Sequence, residues 1–372
     1  MMTSVLVRGQ VSFLFSRTPR SLRRDPELQA FAEKSKERRI KMKKMQNKTR
    51  SKKMAAVLAA LLSAGMLLGG CGAGGEDRLQ VGVVQISENP SLDTIREAFL
   101  QEMEALGYGE DRVEYDIQNA QGDQSNLNTI CSKFLGDQVD LVVAIATPTA
   151  QTAATNLSSQ IPVLFSAVSD PVSAKLVQDP QHPEGNVTGT SDAIPVEQVL
   201  QLCKTLTPDV QKIGFLYTSG EINSQVTVEK AQAAAQEMGY DTQVQTISEI
   251  SELQQAAQSL AAQVDAIYTP IDNTIATSMP VLSRVGTETG TPIYVGADSM
   301  VEDGGLATVG IEYGPLGQQT AQMAVQILEG TPVSDIPVET LDSFSTIINE
   351  STAQALGITI PEELAASARI VG

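Results

Sequence analysis

The sequence predicts an α/β protein of two similar lobes, each a parallel sheet with helices on both faces. Three observations predict it. Short apolar runs alternate with helical stretches between Val81 and Val168, the β-α-β-α order of a parallel sheet. The same order, with elements of similar length, restarts at Ile213. Ahead of both, a basic and then apolar segment ends in Leu68-Gly69-Gly70-Cys71, the arrangement of a bacterial export signal.

In the first lobe, Val81 to Ile86 reads as a buried strand. Leu92, Ile95, Phe99, Met103 and Leu106 then fall at helical spacing, and Gly107 stops that helix. Val113 to Ile117 alternates as a strand, Asn126 to Leu135 is helical, and Leu141 to Ala146 is an apolar strand. A helix begins after Thr147-Pro148, and Val163 to Val168 is the next strand. The pattern pauses from Gly185 to Asp192, and Pro195 to Leu206 forms an amphipathic helix.

The second lobe continues with strands Ile213 to Tyr217, Thr242 to Ile247, Ala266 to Thr269 and Ile293 to Ala297. Helices are expected at Ser224 to Met238, at Ile250 to Ala262 and after Asp272-Asn273-Thr274. The likeness of the two lobes is one of element order, without a fixed-period repeat. Crossings between lobes are expected near Thr190 to Pro195, Ala297 to Met300 and Thr331 to Val338. The tail, Phe344 to Ile348 with a helix after Asn349, returns to the second lobe. Lobe one is thus residues 79–192 plus 299–335, and lobe two 193–298 plus 336–372.

Residues 42–70 read as a signal peptide. Lys43, Lys44, Lys48, Arg50, Lys52 and Lys53 precede an apolar run, Met54 to Leu68, of 15 residues. That is short of the roughly 20 needed for a transmembrane helix, the alternative reading. Cys71 after small residues is the expected site of acylation, and residues 71–78 a Gly-rich tether. Residues 1–41 fit no later element and are expected to reflect a start codon placed too early.

Sixteen of the 26 Lys and Arg but only four of the 44 acidic residues precede Cys71. The remainder holds 10 basic against 40 acidic residues, a net charge near −30. Such a surface repels nucleic acid and anionic lipid. Cys131 and Cys203 lie on amphipathic helices, where two buried free thiols are expected in preference to a disulfide. The one histidine, His182, lies in a proline-flanked loop. No metal site, catalytic triad, nucleophile elbow or phosphate loop is present, which argues against an enzyme.

Ligands of open parallel sheets bind beyond the carboxyl ends of the strands. Those ends place Ser87, Asn89, Thr147, Thr149, Ser166, Asp170, Glu221, Asn223, Asp272, Asn273 and Asp298 as candidate ligand-binding residues. Many suit helix N-termini, whose free N–H groups hold a carboxylate without a basic side chain. With acids beside them for a cation, the set suits a zwitterion, most simply a free amino acid. Asp272 is the expected partner of its ammonium group. Each of these residues taken alone also suits a plain helix cap.

Thr147-Pro148-Thr149-Ala150-Gln151, Phe165 to Pro171, Tyr217 to Ser224, Asp272-Asn273-Thr274 and Gly296 to Ser299 together resemble the ABC-transporter substrate-binding proteins of the tryptophan/tyrosine type. The resemblance implies a type I periplasmic-binding-protein fold, with two Rossmann-like lobes joined by three hinge strands. With the export signal and Cys71, this gives an expected extracytoplasmic, lipid-anchored monomer that binds an amino acid, aromatic or otherwise, without a cofactor. Its partners would be a membrane permease and a cytoplasmic ATPase. A ligand-sensing module for a membrane receptor is the alternative on the same fold.

Overall fold

The computed structural model describes residues 78–341 and 343–372. The expected signal peptide, Cys71 and the residues before them lie outside the described residues. Among the described residues no helix is long and apolar enough to cross a membrane.

Lobe one begins with β1 (Leu79–Gln85), α1 (Pro90–Ala105), β2 (Val113–Asn119), α2 (Gln124–Asp137) and β3 (Leu141–Ile145). It continues with α3 (Thr147–Leu157), β4 (Val163–Ser166) and β5 (Val187–Ser191). β3 is buried at all five positions and lies between β1 and β4. Its uninterrupted Leu-Val-Val-Ala-Ile follows from burial on both faces. α1 starts where Asn89 accepts from the Leu92 N–H at 3.0 Å, with Pro90 in its first turn. α2 is capped by Asp123, which accepts from Ser125 and Asn126.

Lobe two holds α4 (Val196–Leu206), β6 (Lys212–Thr218), α5 (Ile222–Glu237), β7 (Asp241–Ile247), α6 (Leu253–Ala261) and β8 (Ala266–Thr269). α7 (Asn273–Ala276), α8 (Met279–Thr289), β9 (Ile293–Val295), α9 (Asp298–Glu302) and β10 (Ala307–Gly310) follow. The chain then returns to lobe one as α10 (Tyr313–Leu328) and β11 (Glu339–Thr340). It ends in lobe two with β12 (Ser345–Asn349), α11 (Glu350–Ala355), α12 (Glu362–Ser367) and β13 (Arg369–Val371).

The first sheet has strand order β11-β5-β4-β3-β1-β2 and is parallel throughout. The second runs β13-β12-β10-β9-β8-β6-β7, with β10–β12 its one antiparallel pair. Each sheet is covered on both faces, by α1 and α10 against α2 and α3 in lobe one, and by α4 and α5 against α6 and α8 in lobe two. Cys131 and Cys203 are free and buried.

Three expectations are corrected. The pause at Gly185 to Asp192 contains β5, whose Val163↔Val187 register continues the sheet. Its alternating threonines are buried because their hydroxyls find acceptors inside: Thr188 donates to the Ile336 carbonyl and Thr190 pairs with Thr320. The second crossing lies at Ile311–Glu312, not near Ala297 to Met300. β10 stays in lobe two because it pairs with β9 and β12, so residues 299–310 belong to that lobe. The third crossing follows Thr340, not Thr331 to Val338, because Glu339↔Thr190 and Thr340↔Ser191 hold β11 on lobe one.

α10 can return to lobe one because it packs closely on α1. At Gly317 an added Cβ would lie 2.5 Å from the Ile95 carbonyl oxygen. Backbone leaves little room to relax, so Gly317→Ala should lower stability by about 1–3 kcal/mol. Urea unfolding checks this, and an unchanged midpoint would show that the two helices do not need this close approach.

Candidate functional site

A cleft between the two sheets holds about 390 Å³ of atom-free space, its mouth included. Every lining residue follows the carboxyl end of a strand. Asn89, Ser91 and Leu92 follow β1, Thr147 follows β3, and Ala167 and Ser169 follow β4. Asp192 follows β5 and Asn223 follows β6. Ile271, Asp272, Asn273 and Ala276 follow β8, Ala297, Ser299 and Met300 follow β9, and Tyr313 follows β10.

Five of the eleven expected site residues line this cleft: Asn89, Thr147, Asn223, Asp272 and Asn273. Ser87 and Thr149 do not, yet each is buried with a hydroxyl that has no partner among the described residues. Ser166 is turned into lobe one, against Thr190 and Thr320. Asp298 accepts from the Ser299 N–H and meets Arg369 at 3.3 Å, away from the cleft. Asp170 accepts from the Ser173 N–H and forms an ion pair with Lys230 at 2.8 Å. That pair joins a loop of lobe one to α5 of lobe two.

Glu221 and Asp272 brace lobe two. Glu221 accepts from the backbone and side chains of both Asn273 and Thr274, at 2.7–3.0 Å. Asp272 accepts from the Thr218 N–H at 2.7 Å, the Thr218 hydroxyl at 2.8 Å and the Ile275 N–H at 2.9 Å. Burial, reinforced by the nearby charge of Glu221, pushes the Asp272 carboxyl up. Both oxygens of Asp272 accept hydrogen bonds within lobe two, which ties α7 to β6.

Asp192, at the first crossing, also lines the cleft. It is 1% exposed. Ser169 donates to it at 2.8 Å, and the Tyr313 hydroxyl at 3.4 Å. Among the described residues it has no ion pair. Burial pushes its carboxyl up to about 6, and the Ser169 and Tyr313 hydrogen bonds offset only part of that rise. Ser169 and Asp192 lie inside stretches the sequence marked, Phe165 to Pro171 and Gly185 to Asp192, but were not among the expected site residues, and Tyr313 follows β10, a strand the apolar pattern did not reveal.

Opposite lobe two lies the start of α3. No side chain caps it, whereas Asn89 and Asp123 cap α1 and α2. Thr147 at its start faces the cleft. Ala146 before it has φ +78° and ψ 156°, a conformation that L-residues adopt only under strain. Ala167, which lines the cleft, also has a positive φ, 57°. Above the cleft the Ser91 and Ser299 hydroxyls meet at 2.7 Å, joining the lobes.

Two α/β lobes meeting over strand ends, with buried carboxylates and a helix start that no side chain caps along the cleft between them, have the architecture of a solute-binding protein. Residues 80–371 match the family model of the ABC transporter substrate binding proteins, and the chain belongs to that family. The tyrosine-binding protein of Clostridioides difficile (strain R20291) is 40% identical over 321 residues, 82% of this chain and 93% of that one. A solved ABC domain in complex with L-Trp from Streptococcus pneumonia is 40% identical, with a TM-score of 0.77 over 80% of this chain and all of that one. The ligand-free, open structure of a substrate binding protein with adhesive properties from Clostridium difficile is 39% identical, with a TM-score of 0.62 over 79% and 99%. At matched identity and coverage, this chain superposes better on the complex than on the open form. The Ser91–Ser299 and Asp170–Lys230 contacts across the cleft agree with closed lobes.

The raised Asp192 carboxyl has a consequence for stability. Its value of about 6 in the folded chain lies above the ordinary ~3.9. Between those two values the folded state holds more protons than the unfolded state, so its contribution destabilises progressively as pH rises from about 4 to about 6. Asp192→Asn should therefore raise the ligand-free protein's stability at pH 7.5, by up to about 3 kcal/mol. Thermal melts between pH 4 and 8 should show a smaller loss with rising pH in the variant. Parallel pH profiles would contradict this.

Proposed function

We propose that this chain is the extracytoplasmic solute-binding lipoprotein of an ABC importer, and that its ligand is a single L-amino acid with an aromatic side chain. The ligand is held as a zwitterion between closed lobes. Its carboxylate lies at the uncapped start of α3, where backbone N–H groups and the helix dipole favour an anion. Thr147 faces it, and the partnerless Thr149 hydroxyl is buried in the same first turn. The ammonium group lies on Asp192, with Ser169 and Tyr313 holding that carboxylate in place.

The observation that carries this reading is the buried Asp192 without an ion pair among the described residues. A buried charge is otherwise stabilised by a partner, and a ligand cation supplies one. The L-Trp complex and the tyrosine-binding relative support an aromatic amino acid. Leu92, Ile271, Ala276 and Met300 give its ring an apolar lining. Closure around the ligand draws both lobes into one surface, which a permease and its ATPase partner would read. The protein acts as a monomer tethered through acylated Cys71.

Calorimetric titration with L-Trp and L-Tyr should show one ligand per chain. Asp192→Asn should weaken both by roughly 30-fold or more, the cost of leaving an ammonium group without its buried counter-charge. Wild-type affinity in that variant would overturn the assignment. For the anchor, Cys71→Ala should move the protein from the membrane fraction to the soluble fraction of cells. Retention with the membrane would contradict lipidation at Cys71.

A further inference from the structure

Asn223, at the start of α5, lines the cleft from lobe two and is 4% exposed. Its Nδ2 donates to the Ile271 carbonyl at 2.9 Å, and lies 3.2 Å from Glu221 Oε2 and 3.3 Å from the Ser224 hydroxyl. The Ile271 carbonyl and the Glu221 carboxylate only accept, so the NH₂ end of the amide faces them. That fixes the orientation of the side chain. Among the described residues the other end, Oδ1, is buried with no partner. Buried amide oxygens are almost always paired, because an unpaired one keeps the full penalty of leaving water. An acceptor braced in this way, on the wall of a binding cleft, is set to meet a donor that arrives with the ligand.

The two charged ends of the ligand are met elsewhere, at α3 and Asp192. Asn223 is on the opposing lobe, in contact with Ile271, one of the apolar residues that line the cleft. Resting on the amino-acid reading above, we propose that Asn223 Oδ1 accepts a hydrogen bond from the ligand's aromatic side chain, from an indole N–H or a phenol O–H. It thereby selects against amino acids whose ring carries no donor. A ring without one leaves the oxygen buried and unpaired, which is how a site rejects a close isostere.

The test compares four ligands by calorimetry: L-Trp, L-Tyr, L-Phe and 3-benzothienyl-L-alanine, in which sulfur replaces the indole N–H. On the wild-type protein, L-Tyr should bind roughly 10- to 100-fold tighter than L-Phe, and L-Trp tighter than its sulfur analogue by a similar factor. Asn223→Leu should bring L-Trp and L-Tyr down to the level of their donor-free partners while leaving L-Phe near its wild-type affinity. Equal wild-type affinities within each pair would overturn the proposal, and this arm needs no variant to fold. An Asn223→Leu protein weakened equally toward all four ligands would also overturn it, because Asn223 would then be bracing the lobe and not reading the ring. Failure of all four to bind the wild type would instead reject the amino-acid reading on which the proposal rests.

Discussion

A carboxylate buried where the chain first passes between its lobes is the constraint around which the cleft is arranged. Asp192 gains hydrogen bonds from lobe one through Ser169 and from the second crossing through Tyr313. Neither neighbour carries a positive charge. The site therefore holds an unmatched negative charge at the junction of two crossings, where a change in the angle between lobes is felt most directly. A cation bound there would stabilise the carboxylate and the closed arrangement together. Ligand binding and lobe closure are then one equilibrium, biased by the difference in the ligand's affinity for the two arrangements.

The two lobes contribute in different ways. Lobe one offers an open helix start at α3, reached through the strained Ala146 and flanked by Ala167 with a positive φ. Such strain persists only where surrounding structure holds it, and it is found where a backbone must present its N–H groups to a ligand. Lobe two spends its acids on itself. Glu221 ties α7 to the start of α5, Asp272 ties α7 to β6, and Asp298 meets Arg369 of β13. Asn223 lines the cleft from this lobe with an amide oxygen that has no partner among the described residues.

The periodic elements were legible because apolar spacing is a local property of the chain. Leu141 to Ala146 and Ala266 to Thr269 read as strands from their composition, within a residue of β3 and β8, and the spacing from Leu92 to Leu106 showed the helical face of α1, of which all but Leu106 is buried. The crossings were harder. β5 hides behind buried threonines, and β10 and β11 are short strands defined by partners far away in sequence. The strand ends located the cleft, since it depends on topology more than on side chains. The role of each acid was not legible. Asp272 and Asp192 are both buried aspartates next to a strand end, and they differ in hydrogen-bond partners that lie far away in sequence.

The measurement that tests this account most directly is proton exchange on binding. Calorimetry of L-Trp or L-Tyr near pH 6, in buffers of different ionisation enthalpy, counts the protons released per ligand bound. In the free protein the Asp192 carboxyl, raised to about 6, is partly protonated at that pH. An ammonium group placed against it favours the charged form and lowers its pKa. The account predicts release of a fraction of a proton near pH 6, fading by pH 8. Binding with no proton release at pH 6, or with proton uptake, would contradict it.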